Sequence, residues 1–172
     1  TTLEDARVIS AKAGAAADLV KVGGVLFAST TQTPNAGAGE DDLISYTVPA
    51  STLGANLDSL WFEASGTFGA SLNNKRLRVR FGTTGVNLVF DSGALAITAA
   101  TEWVMSGRIM RTGAATQKSY ASLSTTSGTL AAYADVNTGL DQTLSGAIAL
   151  KLTGEGTDNN DIVQEGFVVS AY

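Results

Sequence analysis

The sequence predicts an all-β chain, an antiparallel sandwich or barrel, on three observations. Most of it alternates apolar and polar residues with a period of two. In "DSLWFEASGTF" (58–68), Leu60, Phe62 and Ala64 fall on one side and Trp61, Glu63 and Ser65 on the other. The alternating runs are short and separated by Gly, Asn and Asp, the residues of tight turns. Only 16% of the 172 residues are charged, against about 25% in ordinary soluble domains. Ser, Thr, Asn and Gly supply the polarity instead, which suits exposed strand faces or uncharged surface buried against neighbouring subunits.

In chain order, residues 1–20 stand apart from this pattern. "TTLEDARVISAKAGAAADLV" is Ala-rich; Thr1 and Glu4 have the spacing of a capping box for a short helix, and "RVIS" reads equally well as a strand. The segment has few large apolar side chains to bury by itself. It reads as an N-terminal arm whose Leu3, Val8, Ile9, Leu19 and Val20 would make a modest contact with a partner. One domain, 21–172, remains. Its first strand lies in "KVGGVLFAS" from Lys21, and "LISYTV" (43–48) follows, bounded by the acidic "GEDD" loop and by Pro49. After 58–68 come "NNKRLRVRFG" (73–82), a "GTTG" turn and "VNLVF" (86–90). "EWVMSGRIMR" (102–111) and "QKSYASLS" (117–124) flank a hairpin-like "TGAAT". "TLAAYAD" (129–135), "GAIALKLTGE" (146–155) and "IVQEGFVVSAY" (162–172) complete the set. No repeat is regular enough for a propeller or solenoid.

The basic stretch at 73–82 is the most conspicuous local feature. In a strand, Leu77, Val79 and Phe81 share the core face while Arg76, Arg78 and Arg80 line the outer one at ~6.5–7 Å intervals. An unpaired row of this kind repels itself. Glu40, Asp41 and Asp42 are natural partners, within the chain or across a subunit interface, where they would help set the registry of an oligomer. Nucleic-acid binding fits poorly, because the nearby Phe81 points away from that face and the whole chain carries a net charge of −5.

Composition removes most catalytic chemistry. With no Cys and no His, the chain has no disulfide, no thiol nucleophile, no thiolate metal site and no imidazole base. No apolar run approaches the length of a membrane helix, and no signal-peptide pattern opens the chain. Carboxylates cluster at Glu40–Asp42 and at Glu155, Asp158 and Asp161, but without the aromatic-rich cleft of a glycosidase. Asp158 and Asp161 in "TDNND" are close enough to be weak calcium candidates, yet lack the spacing of a calcium loop. No cofactor motif is present. The aromatics to weigh for a lectin-like site are Trp61, Trp103 and Tyr133, each of which also suits a core or an interface.

Four phrases, "GEDDLISYTVPASTL", "WFEASGTFGASLNNKRLRVRFG", "RTGAATQKSYASL" and "LTGEGTDNNDIVQEGFVV", resemble in that order a family of small jelly-roll domains in virion proteins of tailed phages. The resemblance spans roughly residues 21–170. It implies a jelly-roll β-sandwich, assembly as a homotrimer and no catalytic residues. Within that family, a capsid decoration or cement protein fits a chain of this length: a compact head whose arm holds it to the major capsid protein on the outer surface of the capsid. The alternative is the receptor-binding head of a tail fibre or spike, with a host-surface glycan as partner, and a further alternative is a carbohydrate-binding module or glycosidase. None of the virion readings requires nucleic acid, a membrane or a cofactor.

Overall fold

The computed structural model describes residues 24–82, 87–126 and 133–172, with residues 133–138 described by their backbone alone. These residues form twelve strands and no helix. They are β1 Gly24–Ser29, β2 Thr33–Pro34, β3 Gly39–Val48, β4 Ser59–Phe68, β5 Asn74–Phe81, β6 Leu88–Asp91, β7 Leu95–Ala96, β8 Thr101–Gly113, β9 Thr116–Thr125, β10 Tyr133–Leu140, β11 Ile148–Gly156 and β12 Ile162–Ala171.

The strands pair in nested fashion, always antiparallel: β5 with β6, β4 with β8, β3 with β11 and β1 with β12. A long hairpin bent at β5–β6 and rolled up on itself gives this nesting, and the strand orders follow. One sheet runs β1-β12-β4-β8 and the other β3-β11-β5-β6, the two-sheet arrangement of a jelly roll. The hairpin partners β9 and β10 extend the first sheet beyond β8, and β2 adds to it beside β12, giving seven strands; β7 brings the second sheet to five.

Two local readings change. The acidic "GEDD" run, expected as a loop, supplies the first residues of β3, because Glu40 and Asp42 alternate outward towards cations on neighbouring strands. Of the strand expected at 129–135, residues 129–132 lie outside the described residues, and the described strand, β10, runs on from Tyr133 to Leu140.

The core lies between the sheets, and the period-two pattern fills it. Leu60, Phe62, Ala64 and Phe68 of β4 face Leu77, Val79 and Phe81 of β5, all nearly without exposure. Phe27 of the edge strand β1 stacks on Tyr46 of β3 at 5.0 Å, closing one side of the sandwich. Two glycines admit the largest rings. Gly107 leaves room for Phe62, whose Cζ would lie 2.2 Å from any added Cβ. At Gly66 a Cβ would stand 1.9 Å from the Val163 carbonyl and 2.5 Å from Cζ2 of the fully buried Trp103. Gly66→Ala is therefore expected to destabilise the protein by about 1–3 kcal/mol or more through overpacking, lowering Tm by about 2–4 °C per kcal/mol. Thermal and urea unfolding of the variant beside wild type measures this, and an unchanged Tm would contradict the close approach.

Candidate functional site

β5 presents Arg76, Arg78 and Arg80 on the outer face of the five-stranded sheet because Leu77, Val79 and Phe81 are held in the core. The register then supplies the partners. Across β11, Arg76 lies opposite Glu155, Arg78 opposite Thr153 and Arg80 opposite Lys151. Across β6, Arg78 lies opposite Asp91. β3 joins from the far side of β11, with Glu40 opposite Glu155 and Asp42 opposite Thr153.

The resulting network lies within one chain. Arg76 grips Asp91 with two bonds, Nε–Oδ1 at 2.7 Å and Nη2–Oδ2 at 2.5 Å. Arg80 grips Glu40 in the same forked way, both bonds at 2.7 Å. Arg78, between them, donates to Glu40 at 2.9 Å and to Glu155 at 2.5 Å, with Asp91 at 3.5 Å from its Nε. Thr153 donates its hydroxyl to Glu40 at 2.6 Å, and Lys151 pairs with Asp42 at 2.5 Å. Four cations thus meet four carboxylates, and the row of like charge is neutralised in place. Asp41, expected to share this role, points elsewhere and accepts the Ala36 amide at 2.8 Å.

The electrostatics follow this geometry. The forked hydrogen bond from Arg80, helped by the Thr153 hydroxyl and the Arg78 charge, outweighs burial and holds the Glu40 carboxyl at about 2. Burial works to raise Asp91, but the Arg76 hydrogen bond and the Gly93 amide outweigh it and leave it below its ordinary value. The bonds to Asp91 and Glu40 raise Arg76 and Arg80 in turn.

Asp158 and Asp161, the calcium candidates, lie in the turn between β11 and β12. Asp161 is nearly fully buried and both its oxygens are engaged. Oδ2 accepts the Thr157 and Asp158 amides at 2.9 Å each and the Asn73 amide at 3.1 Å, while Oδ1 accepts the Ser71 hydroxyl at 2.6 Å. Burial opposes the charge, but these donors prevail and hold the carboxyl at about 2. Asp158 accepts from Asn73 at 2.8 Å. Among the described residues no group of acidic side chains gathers as a metal would require. The turn is a hydrogen-bonded clasp joining the β4–β5 and β11–β12 connections. Lys75 completes it: fully buried, its ammonium donates to the Ser71 hydroxyl at 2.9 Å and to the carbonyls of Asn73 at 3.1 Å and Ile97 at 2.8 Å. Burial lowers its pKa, and the Asp161 charge partly opposes that.

The aromatic candidates separate. Trp103 is a core residue with no exposure. Trp61 is half-buried on the outer face of the seven-stranded sheet, where it meets Tyr120 edge-on at 6.4 Å. The side chain of Tyr133 and the arm residues Leu3, Val8, Ile9, Leu19 and Val20 lie outside the described residues. Sequence reasoning missed four participants. Asp91 was one residue past the expected strand, Thr153 and Lys151 drew no notice on the strand expected at 146–155, and Lys75, which period two puts on the core face with Leu77, was not singled out.

Arg78→Ala is expected to cost about 3 kcal/mol, towards the low end for breaking a buried pair because its carboxylate partners keep some solvent. Lys151→Ala, at an exposed pair, should cost at most about 1 kcal/mol. Urea unfolding separates the two, and equal effects would overturn the central role of Arg78. The pH dependence has a definite sign. Glu40 and Asp161 sit at about 2 in the fold against ordinary values of 4.5 and 3.8, so their contribution is complete above those values and is lost as pH falls through about 2. Unfolding free energy measured against pH should decline over that window, and Glu40→Gln should make the decline shallower.

No family model matches the chain, and no curated protein matches it. Among solved structures, it is similar to the CBM2 module of the evolved Dit of Lactobacillus casei BL23 phage J-1, with TM-score 0.38 and 11% identity over 73% of this chain and 67% of that one. It is also similar to a chain of infectious bursal disease virus, Gx strain, with TM-score 0.32 and 16% identity over 87% of this chain and 42% of that one. Likenesses this distant leave function to be argued from the residues themselves.

Proposed function

We propose that this chain is a non-enzymatic structural protein of a tailed-phage virion, a decoration protein that binds the outer surface of the capsid as a homotrimer. The observation that supports this reading is where its reactive groups go. Glu40, Asp91, Glu155 and Asp161 are spent on cations and amides of the same chain, and Lys75 on backbone carbonyls. The phrases that carry the phage resemblance fall on β3, on β4 and β5, on the β8–β9 hairpin and on the β11–β12 clasp, and three of these four hold the groups so engaged. They encode a rigid head rather than a reaction centre. On this reading residues 1–20 carry attachment to the major capsid protein, with Leu3, Val8, Ile9, Leu19 and Val20 as its apolar contacts, while the jelly roll folds and trimerises without them.

Imaging of intact particles tests location. Density for the protein at regular positions over the shell is expected; density only at the tail would replace decoration with a fibre head. Deletion of residues 1–20 tests the division of labour. Tm and oligomer mass should stay within error of the full chain while binding to undecorated heads is lost. A truncated protein that still covered heads at full occupancy would move the attachment surface onto the jelly roll.

A further inference from the structure

The two outer faces of the sandwich treat charge in opposite ways. On the five-stranded sheet every acid and base in the row is paired within the chain. On the seven-stranded sheet the outward residues form cross-strand rows that leave their charges unmatched. One row runs Val25, Ser170, Trp61, Arg108, Tyr120 and the next runs Ala28, Val168, Glu63, Ser106, Ser122. Lys118 lies one row beyond Arg108, and Glu102 two rows beyond Glu63. The face is therefore basic towards one end and acidic towards the other. Among the described residues none of these four makes an ion pair; Arg108 reaches only the Ser59 hydroxyl at 3.0 Å, and its buried Nε has no acceptor.

The surface between the charges is apolar. Val25 is 65% exposed, Val104 51%, Tyr120 44% and Tyr172 57%, although large apolar side chains usually find cover. Beside them the face is indented. Trp61, Glu63, Ser170 and Tyr172 border a hollow of about 130 Å³. A second, of about 230 Å³, lies next to it over Gly166, walled by Val104 and Val168. The second hollow follows from the sequence: the bulge between Gln164 and Gly166 sets a residue without a side chain opposite Ser65. Exposed knobs and hollows of side-chain size thus share one surface.

We propose that this face is the contact between copies of the chain, with the basic end of one copy set against the acidic end of the next. A second copy is the occupant that matches the charge pattern without further assumption, since every copy carries both an unpaired Arg108 and an unpaired Glu63 to set against those of its neighbour. The basic end and the acidic end are different patches, so copies that meet end to end make a heterologous contact, which closes into a ring when its rotation allows. Six strands at ~4.8 Å spacing and five rows at ~6.6 Å give roughly 600 Å² per copy, at the low end for a specific interface. The inference rests on the homo-oligomer reading and adds to it the surface used.

Charge reversal tests it. Light scattering at micromolar concentration would compare wild type with Arg108→Glu, Glu63→Arg and the double reversal, with circular dichroism and thermal melts to confirm folding. The expected result is an oligomeric wild type, at least tenfold weaker association in either single variant, and recovery of the oligomer in the double. Val104→Lys, at an exposed position that the isolated fold does not need, should also dissociate the oligomer and carries the test if Arg108→Glu fails to fold. Single variants and Val104→Lys that keep the oligomer mass would overturn this surface while leaving the homo-oligomer intact. A double reversal that stays dissociated would overturn the Arg108–Glu63 pairing. A monomeric wild type would instead overturn the homo-oligomer, and a Val104→Lys variant that then failed to bind undecorated heads would assign the face to the capsid.

Discussion

Arg78 is the residue on which the register of the five-stranded sheet depends. It stands on β5, and its guanidinium reaches carboxylates on β3, β11 and β6, so one side chain touches every other long strand of that sheet. Strand pairing alone leaves register weakly specified, since a slip by one residue conserves most ladder hydrogen bonds. Here such a slip would carry the guanidinium into the core and bring Leu77 or Val79 out to water. Desolvating a guanidinium is costly, so the net stabilisation from the network is smaller than its number of bonds suggests. Its larger effect is selection among registers: one alignment satisfies four cations and four carboxylates together, and its neighbours satisfy none of them as well.

The large features of this arrangement were legible in the sequence, and the smaller ones were lost for identifiable reasons. Period two placed Leu77, Val79 and Phe81 inside and the arginines outside, and the structure agrees. Charge balance made Glu40, Asp41 and Asp42 natural partners of the arginines; Glu40 takes that role, while Asp42 pairs with Lys151 instead. Charge balance could not separate Asp41 from Glu40 and Asp42, because the face on which each acid falls depends on the bulge that sets Thr153 opposite Asp42 and Leu152 opposite Ile44. Bulges have no reliable sequence signature. Lys75 was overlooked for a different reason. Its period assigns it to the core, but a lysine there is acceptable only when carbonyls and a hydroxyl converge on it, and those come from Ser71, Asn73 and Ile97. That convergence is a property of the tertiary structure alone.

The nested pairing explains why the polar clasp lies where it does. Rolling a long hairpin brings the connection between β4 and β5 beside the connection between β11 and β12, although about ninety residues separate them. Both connections cross between the two sheets at the same end of the sandwich, where neither can continue a ladder. Their backbone amides would be left without acceptors if the loops were merely apolar. Asp161 collects two of those amides, and Asn35 accepts the Ile162 amide at 2.8 Å while donating to the Asp158 carbonyl at 2.9 Å. A carboxylate is suited to this because it accepts in several directions at once, and the donors around it leave little reason for it to take up a proton near neutral pH.

A jelly roll has two broad faces, and what each does with its charges limits what it can recruit. A face whose charges are matched internally gains little from a charged neighbour, because docking would remove solvent from pairs already satisfied without forming new ones. The arginine row is such a face, despite being the most basic stretch in the chain. A face with a few unmatched charges set among exposed apolar side chains is different: burial removes apolar area from water, and each charge gains a partner only when something is placed against it. The row of Trp61, Arg108 and Tyr120 has these properties. The density of charge along a strand is therefore a poor guide to which face of this chain still has charges to match. The better guide is whether the chain has already supplied each charge with its opposite.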